Sequence, residues 1–433
     1  MANWSPATVK RPPGVGDGTS WSSNPAPGYN GWGFSPSAAC RTFESESPLV
    51  LTSTRLASMD DGLIRLGVIG CGGFGLFALQ HFTQVPGVKL VGMAGTHRPA
   101  ALAAAARFGV ENVDDVGELL RRDDVGVVYI ATPPFLHHPQ AMAALEAGKH
   151  VIVEKPLALT VGQAAELIAV ARRRDRLLVA NLMQRYNPLF DAVRRLVEAR
   201  VLGEVLHGSF ENYASDENLP ARHWFWDRSK SGGIFVEHGV HFFDLFAGWL
   251  GPGRVEAAQI GARPGAAIEE HAHATVRYGG EAMTNFYHGF HQAGRMDRQE
   301  LRLVFERGDV TLSDWVPSRA RIHAVVDERQ TRDLCDLFPG ARLDVAASYG
   351  GTDRACRGRG KEIDAYQIID LSWGDGQAKL PLYGRLLRSM MEDQVAWVRD
   401  RNHRRVVTEA NGRDSLAMAC EADALAHGAG ADR

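Results

Sequence analysis

A short apolar strand that runs directly into a glycine-rich turn, at residues 63–75 (LIRLGVIGCGGFG), most constrains what this chain can fold into. The spacing Gly-x-Gly-x-x-Gly assigns three tasks: Gly70 makes the tight turn, Gly72 lets a diphosphate approach the backbone, and Gly75 lets the next helix pack closely. A second apolar strand at residues 88–94 completes a βαβ unit. The pattern therefore predicts a dinucleotide bound at a helix N-terminus.

The acidic residue that usually binds the ribose of NAD, about 20 positions after the glycines, is missing. The second strand ends instead in Gly95, Thr96, His97 and Arg98. Arg98 would neutralise the 2′-phosphate of NADP, or it would simply be a solvated residue at the start of the next helix. The sequence predicts NAD or NADP as the cofactor and slightly favours NADP.

Composition excludes several classes of protein. The chain has 433 residues, is 45% hydrophobic and 23% charged, and carries a net charge of −3, as is ordinary for a globular protein with more than one domain. It has no basic block typical of nucleic-acid binding, and no apolar run near the about 20 residues that span a membrane. Its five cysteines have no CxxC spacing, which favours a reducing compartment, the cytoplasm.

Pattern changes divide the chain into three segments. Residues 1–61 are rich in Pro, Gly, Ser and Asn and are predicted to be a disordered extension without a secretory signal. Residues 62–182 alternate strands and helices, which predicts an α/β Rossmann domain with a parallel sheet. Residues 183–433 are predicted to form an α+β domain with a large, open, mostly antiparallel sheet, whose C-terminal helices pack back on the first domain. Residues 330–360 are predicted to be irregular.

Four motifs together resemble a known family. They are GCGGFG at 70–75, ATPPFLH at 131–137, AGKHVIVEKP at 147–156 and GGIFVEHGVHFFD at 232–244. In this combination the sequence resembles the glucose-fructose oxidoreductase, inositol dehydrogenase and rhizopine catabolism (Gfo/Idh/MocA) family of NAD(P)-dependent oxidoreductases. The resemblance implies hydride transfer to or from a hydroxyl-bearing carbon of a sugar, cyclitol or related polyol, in a homodimer or homotetramer formed through the C-terminal sheet.

The candidate catalytic residues lie in the last two motifs. The resemblance implies that Lys155 contacts both nicotinamide and substrate, and that its bond to Pro156 is cis. On an otherwise apolar stretch, Glu237, His241 and Asp244 stand at i, i+4 and i+7, which predicts one helical face. His241 matches the catalytic histidine of the family and is suited to take a proton from a hydroxyl. Asp244 would orient its ring, hold the substrate or have a structural role.

Glu237 departs from the family, which usually has an aspartate there that contacts the substrate. Because the extra methylene moves the carboxylate by about one bond length, the substrates of familiar members are not carried over. Further candidates for the substrate pocket follow the last Rossmann strand or precede the 232–244 motif. Those substrate-binding candidates are Arg185, Tyr186, Asn187, His223 and Asp244.

The predicted cofactor contacts come from the glycine turn, the end of the second strand and the turns at the carboxyl ends of two later strands. They are Gly70, Gly72, Gly73, Phe74, Gly75, Thr96, His97, Arg98, Thr132, Pro133, His137, Glu154 and Lys155.

Three alternatives stay open at this stage. The side chains of Glu237, His238, His241, His271 and His273 are possible metal ligands, although the family chemistry requires no metal and none is predicted. A lyase or glycoside-cleaving enzyme of the same architecture would oxidise its substrate transiently with tightly held NAD. A regulator that binds dinucleotide or sugar without turnover would be expected to lack the catalytic lysine or histidine, and this sequence has both.

Overall fold

A computed structural model of the protein describes residues 62–95, 98–110, 112–113, 115–217, 219–279, 281–374 and 379–428. The predictions for residues 1–61, for Thr96 and His97 and for the side chain of Arg98 lie outside the described residues.

The first half of the described chain forms a six-stranded parallel sheet in the order β3-β2-β1-β4-β5-β6. The strands are β1 (Ile64–Ile69), β2 (Val88–Ala94), β3 (Asn112–Val113), β4 (Val127–Ile130), β5 (His150–Val153) and β6 (Leu178–Ala180). The connecting helices are α1 (Gly73–Phe82), α2 (Arg98–Phe108), α3 (Val116–Arg121), α4 (His137–Glu146) and α5 (Val161–Arg173).

The apolar strands explain why this sheet is parallel and covered. Leu66, Val68 and Ile69 of β1 are fully buried, as expected for a strand with helices on both faces. The strand order reverses between β1 and β4, so the connections that follow these two strands diverge and leave a crevice at their carboxyl ends. The glycine turn lies in that crevice.

The second half forms a nine-stranded sheet in the order β14-β17-β13-β12-β11-β7-β10-β9-β8. Neighbouring strands are antiparallel except for β7 and β10, which are parallel. The strands are β7 (Val205–Ser215), β8 (Gly253–Ala262), β9 (Glu269–Tyr278), β10 (Ala282–Gln292), β11 (Arg298–Phe305), β12 (Gly308–Ser313), β13 (Arg319–Val326), β14 (Arg342–Ser348) and β17 (Gln367–Gly374), with a separate hairpin of β15 (Ala355–Gly358) and β16 (Lys361–Asp364). The predicted fold class is confirmed.

The helices of the second half pack partly on this sheet and partly on the first half of the described chain. They are α6 (Pro188–Glu198), α7 (Arg228–Ser231), α8 (Val240–Leu250), α9 (Glu328–Leu337), α10 (Lys379–Arg399) and α11 (Glu409–Gly428). Phe242 and Phe246 of α8 pack on Phe210 and Phe286 of the sheet, and all four rings are fully buried. The core of this half therefore lies between α8 and the central strands.

The prediction that residues 330–360 are irregular is wrong. The segment holds most of α9, all of β14 at the edge of the large sheet, and β15. Asp327 caps α9 by accepting a hydrogen bond from the Gln330 backbone, and the Gln330 side chain accepts one from the Asp327 backbone. β14 is mostly exposed, and a register shift between Val345 and Ala347 interrupts the short alternation of Leu343 and Val345, so its strand signal is weak.

The C-terminal helix α10 returns to the first sheet. Its Tyr383 ring packs edge-on against Phe77 of α1 with the ring centroids 5.4 Å apart, and Arg399 Nη2 donates to the Gly62 carbonyl oxygen at 3.1 Å. The end of the chain therefore joins the wall of the crevice. None of the helices in the described part of the chain has the length and apolar character that crossing a membrane requires.

Candidate active site

A cavity of about 580 Å³ lies at the carboxyl ends of β1, β4 and β5. On one side it is lined by the glycine turn, by residues 131–134 after β4 and by Glu154 and Lys155 after β5. The facing side carries His223, Trp224, Glu237, His241, Trp315 and Tyr383. The predicted edge of the Rossmann sheet is therefore also the place where the second half of the chain contributes side chains.

The glycine turn fits a dinucleotide. Gly70 has φ +103°, and a Cβ there would lie 2.6 Å from the Ala131 carbonyl oxygen, so only glycine suits this turn. A Cβ on Gly75 would lie 2.8 Å from the Ala131 Cβ, whereas a Cβ on Gly72 or Gly73 would meet nothing within 4 Å. No side chain caps the N-terminus of α1. Its first amides and the open space before them suit a diphosphate.

Glu154 is buried at the cavity floor and already has two donors. Its Oε1 accepts from the Tyr129 hydroxyl at 2.5 Å and from Asn181 Nδ2 at 2.8 Å. Burial raises the pKa of Glu154, and the hydrogen bonds from Asn181 and Tyr129 oppose that rise. These bonds fix the orientation of the carboxyl group beside Lys155.

Lys155 joins the two halves of the site. Its Nζ donates to Glu237 Oε1 at 2.5 Å and to the Glu237 backbone oxygen at 2.9 Å. The ammonium and the carboxylate are both mostly shielded, with 18% and 12% of their side chains exposed. The bond between Lys155 and Pro156 is cis, as the family resemblance implies.

The helix that carries Glu237 and His241 is not a regular α-helix. Residues Phe235–Gly239 form a π-helical turn, and α8 begins directly after it. A π turn takes more residues per turn than an α-helix, so it changes the spacing between Glu237 and His241, whereas His241 and Asp244 both lie in the regular helix α8. Glu237 and His241 both line the cavity, but Asp244 does not.

Asp244 instead forms a buried ion pair with Arg185. Arg185 donates to both carboxylate oxygens, at 2.7 Å from Nε and 2.9 Å from Nη2, and to the Asp244 backbone oxygen at 2.7 Å. A buried guanidinium needs a counter-charge, and Asp244 supplies it, so the observed contacts of Asp244 fit the structural role among the three expected ones. Neither Arg185 nor Asp244 lines the cavity with His241.

His241 is 5% exposed. Burial, followed by the Lys155 ammonium, lowers the pKa of His241 well below its ordinary value, so the imidazole is neutral at neutral pH and able to accept a proton. Within the described chain its Nδ1 has no hydrogen-bond partner. The Trp315 ring stands perpendicular to the imidazole with the centroids 5.1 Å apart and helps to hold it in place.

His137, a predicted cofactor contact, lies behind the cavity wall. Its Nδ1 is 2.7 Å from the Pro156 carbonyl oxygen and its Nε2 is 2.8 Å from the Thr132 carbonyl oxygen. Burial lowers the pKa of His137 to about 4, and the two carbonyl contacts oppose that shift. The ring connects the turn after β4 to the turn after β5, and thereby supports Thr132 and Lys155 from behind.

The remaining candidates for substrate binding lie in different places in the structure. The Tyr186 hydroxyl donates to Asp393 Oδ2 at 2.6 Å, and Asn187 caps α6 by accepting from the Leu189 backbone at 3.0 Å. Neither lines the cavity, whereas His223 does. Its Nδ1 accepts from the Phe225 backbone N–H at 3.3 Å, so its Nε2 carries the ring proton.

The possible metal ligands do not converge. His238 Nδ1 lies 2.8 Å from His288 Nδ1 in an aromatic core, and the His271 ring packs near Tyr287 and His291. His273 also lies on β9 and does not line the cavity.

The described residues do contain one cluster with metal-ligand chemistry, formed by Glu269, Asp423 and His427. The Arg228 guanidinium contacts all three side chains. A cation of the protein itself therefore already occupies that position.

Sequence reasoning missed Trp315 and Tyr383. Trp315 follows β12, and Tyr383 comes from α10, where it also packs against Phe74. Burial and then the Glu154 carboxylate raise the pKa of Tyr383. No local pattern marks either residue, because both reach the site only through long-range packing.

The fold and the cavity define a two-domain dinucleotide-binding oxidoreductase. Residues 64–182 match the family described as "Oxidoreductase family, NAD-binding Rossmann fold", and residues 190–311 match the "GFO/IDH/MocA C-terminal domain". The chain belongs to the Gfo/Idh/MocA family. Its cofactor is NAD or NADP, and solved structures of similar fold contain NADH or NADP.

Individual relatives agree with this assignment. A dTDP-3,4-didehydro-2,6-dideoxy-alpha-D-glucose 3-reductase of Saccharopolyspora spinosa is 30% identical over 311 residues, 68% of this chain and 91% of that protein. A glycosyl hydrolase family 109 protein of Shewanella sp. (strain W3-18-1) is 29% identical over 198 residues, 41% of this chain and 43% of that protein. The WlbA dehydrogenase from Bordetella pertussis, solved with NADH and UDP-GlcNAcA, is similar in fold with a TM-score of 0.67 and 18% identity, over 85% of this chain and 97% of that one.

Proposed function

We propose that the protein transfers a hydride between the nicotinamide of NAD(P) and a hydroxyl-bearing carbon of a sugar, cyclitol or related polyol. The observation that carries the proposal is a neutral, buried His241 in the same cavity as the Lys155–Glu237 pair and the uncapped glycine turn. The similarity to a dTDP-sugar 3-reductase supports oxidation or reduction at a carbon of a sugar ring.

Each residue has a role that follows from its chemistry. His241 takes the hydroxyl proton during oxidation and returns it during reduction. Lys155 places its ammonium beside the same oxygen and stabilises the negative charge that develops there. Glu237 positions the substrate through a hydroxyl and holds Lys155 in place. When bound, the nicotinamide accepts the hydride from the carbon in oxidation and donates it in reduction.

The cofactor would lie along the residues that line the first half of the cavity. The α1 N-terminus at Gly72 and Gly73 would bind the diphosphate, and Thr132, Pro133 and Glu154 would face the nicotinamide end. Arg98 as the partner of a 2′-phosphate remains the reason to favour NADP slightly.

The test follows the absorbance of reduced nicotinamide when the purified protein meets a panel of sugars and cyclitols with NAD or NADP. We expect turnover that Lys155→Ala and His241→Ala each reduce by at least about 100-fold, within the range for a positioned acid–base group. Lys89→Ala, an exposed lysine of β2, is the matched control and keeps full activity. If both nucleotides bind but no compound is oxidised, the proposal is wrong.

A second candidate function is glycoside cleavage through transient oxidation, which the likeness to a glycosyl hydrolase family 109 protein favours. It uses the same His241 and Lys155 but regenerates the cofactor within each turnover. Release of the aglycone from a chromogenic glycoside, without net change in reduced nicotinamide, would identify it.

We also propose two domains, at residues 62–182 and 183–433, and a cytoplasmic location.

We further propose a homodimer or homotetramer formed through the nine-stranded sheet. The sheet face opposite α8 carries a cluster of rings from neighbouring strands, including Tyr213, Tyr287 and His291, and rings of this kind are enriched in interfaces. Light scattering after size-exclusion chromatography tests this, with Tyr287→Asp expected to yield monomers. A monomeric unmodified protein would contradict it.

A further inference from the structure

We infer that the substrate is an uncharged sugar, either free or as a glycoside with an apolar aglycone, rather than a nucleoside diphosphate sugar, a sugar phosphate or a uronate. This inference rests on the proposed function and specifies the substrate class of the same site. Three properties of the cavity carry it: its charge balance, its aromatic wall and its pattern of donors and acceptors.

The described residues that line the cavity offer no unpaired cation for an anionic substrate. Among the described residues that line it, Lys155 is the only lysine or arginine, and Glu237 already neutralises it. Burial lowers the pKa of both His223 and His241, so both rings are neutral at neutral pH. Phosphates and carboxylates are usually bound by guanidinium or ammonium groups or by a helix N-terminus.

The helix N-terminus that lines this cavity is assigned to the cofactor rather than to the substrate. The α1 N-terminus adjoins Gly72 and Gly73, where the cofactor diphosphate belongs. An anionic group of the substrate would instead approach the carboxylate of Glu237. Without a counter-ion, removing such a group from water is costly.

Aromatic side chains line much of the cavity. Trp224, Trp315 and Tyr383 line it together with Met183. Trp315 and Tyr383 are held by packing, against His241 and Phe77 respectively. Trp224 lies in a short 3-10 turn and is only partly buried, which leaves its indole able to cover the C–H face of a sugar ring or an apolar aglycone.

The polar groups in this part of the cavity suit hydroxyls. The backbone contact at His223 Nδ1 leaves Nε2–H as a donor, while Glu237 supplies an acceptor and Lys155 a donor. A hydroxyl both donates and accepts, so neighbouring hydroxyls of a polyol can satisfy all three groups without adding charge.

The test compares matched compounds with the unmodified protein and its preferred nucleotide. The set is glucose, methyl and phenyl β-glucosides, glucose 6-phosphate, glucuronate and dTDP-glucose, with the same series built on other sugars that react. We expect kcat/KM for the best neutral compound to exceed that of its anionic counterparts at least about 100-fold. Trp224→Leu should raise KM for the neutral compound about tenfold with little change in kcat, whereas Trp373→Leu, an indole of β17 outside the cavity, should change neither.

Each contrary result has a distinct meaning. Oxidation of an anionic sugar with higher kcat/KM, lost in Lys155→Ala, would overturn the inference and leave the proposed function intact. No turnover of any compound, with both nucleotides bound, would overturn both. If Trp224→Leu does not fold, the ratio of neutral to anionic substrates in the unmodified protein still decides the question.

Discussion

His137 offers the sharpest test of how the site is held together. Its ring contacts two carbonyl oxygens in a buried position, Pro156 at 2.7 Å and Thr132 at 2.8 Å, and it is 1% exposed. His137→Phe removes both contacts, but a neutral imidazole carries one N–H and donates to only one of the two carbonyl oxygens, so one buried carbonyl loses a hydrogen bond, at about 1–3 kcal/mol. We expect the free energy of unfolding at pH 7 to fall by about 1–3 kcal/mol.

The same substitution has a pH signature with a definite sign. Burial lowers the pKa of His137 to about 4 in the folded protein, below the value of about 6.5 in an unfolded chain. Between those values the unfolded state binds the extra proton, so stability is fully present above about pH 6.5 and is lost as the pH falls toward 4. The loss is at most about 1.4 kcal/mol per pH unit, or about 3 kcal/mol in total.

Urea unfolding of the unmodified protein and of His137→Phe, from pH 7.5 to pH 4.5, measures both effects. Other buried histidines titrate in both proteins and cancel in the difference. The stability gap between the two should therefore narrow on acidification, while His138→Gln, a neighbouring residue paired with Glu166 near the surface, should follow the unmodified protein. A gap that widens on acidification would mean that the two carbonyls stabilise an imidazolium, and would refute the assignment of a neutral ring.

Three further changes test separate parts of the structure. Gly72→Ala should weaken NAD(P) binding without lowering the melting temperature. Gly75→Ala, whose Cβ would lie 2.8 Å from another Cβ, should lower both the affinity and the melting temperature. If the two variants showed the same melting temperature and the same affinity in cofactor titrations, this prediction would be contradicted. Arg185→Met leaves Asp244, 4% exposed, without its ion-pair partner. The free energy of unfolding in urea should fall by about 3–5 kcal/mol, while kcat of the folded enzyme stays within about twofold. A selective loss of kcat would show that the Arg185–Asp244 pair acts directly in the chemistry. Glu237→Asp should lower kcat by up to about 100-fold, because the carboxylate would be misplaced on the scale of an ångström. Steady-state kinetics that match the unmodified enzyme would show that the longer side chain is not needed.

Much of the fold follows from patterns within short stretches of sequence. The glycine turn and the alternation of apolar strands with helices predict the parallel sheet, because each signal spans only a few residues. The cis bond at Lys155 and the family itself follow from motifs. The helix and strands of segment 330–360 were not predicted. One reason is that β14 is mostly exposed, although the residues that form the Asp327–Gln330 cap of α9 follow a recognisable capping pattern.

The site is less predictable because its geometry depends on distant contacts. Helical spacing predicts that Asp244 lies beside His241, but in the structure Asp244 forms an ion pair with Arg185, a residue from another part of the chain. The π turn before α8 has no sequence signal of its own. Trp315 and Tyr383 reach the cavity only after the large sheet and α10 are in place, so no local pattern could identify them.

The contact between Lys155 and Glu237 joins the end of a Rossmann strand to the residue proposed to position the substrate. Lys155 stands at the end of a Rossmann strand, next to Glu154, which two donors hold in place. Glu237 stands in the π turn that leads to His241, and Lys155 binds both its carboxylate and its backbone oxygen. The backbone contact holds the turn itself, so a shift of Lys155 would also shift the helix that carries the base. A shorter aspartate would keep the backbone contact and weaken the carboxylate contact. If Glu237 positions the substrate as proposed, the glutamate therefore makes that positioning depend directly on Lys155.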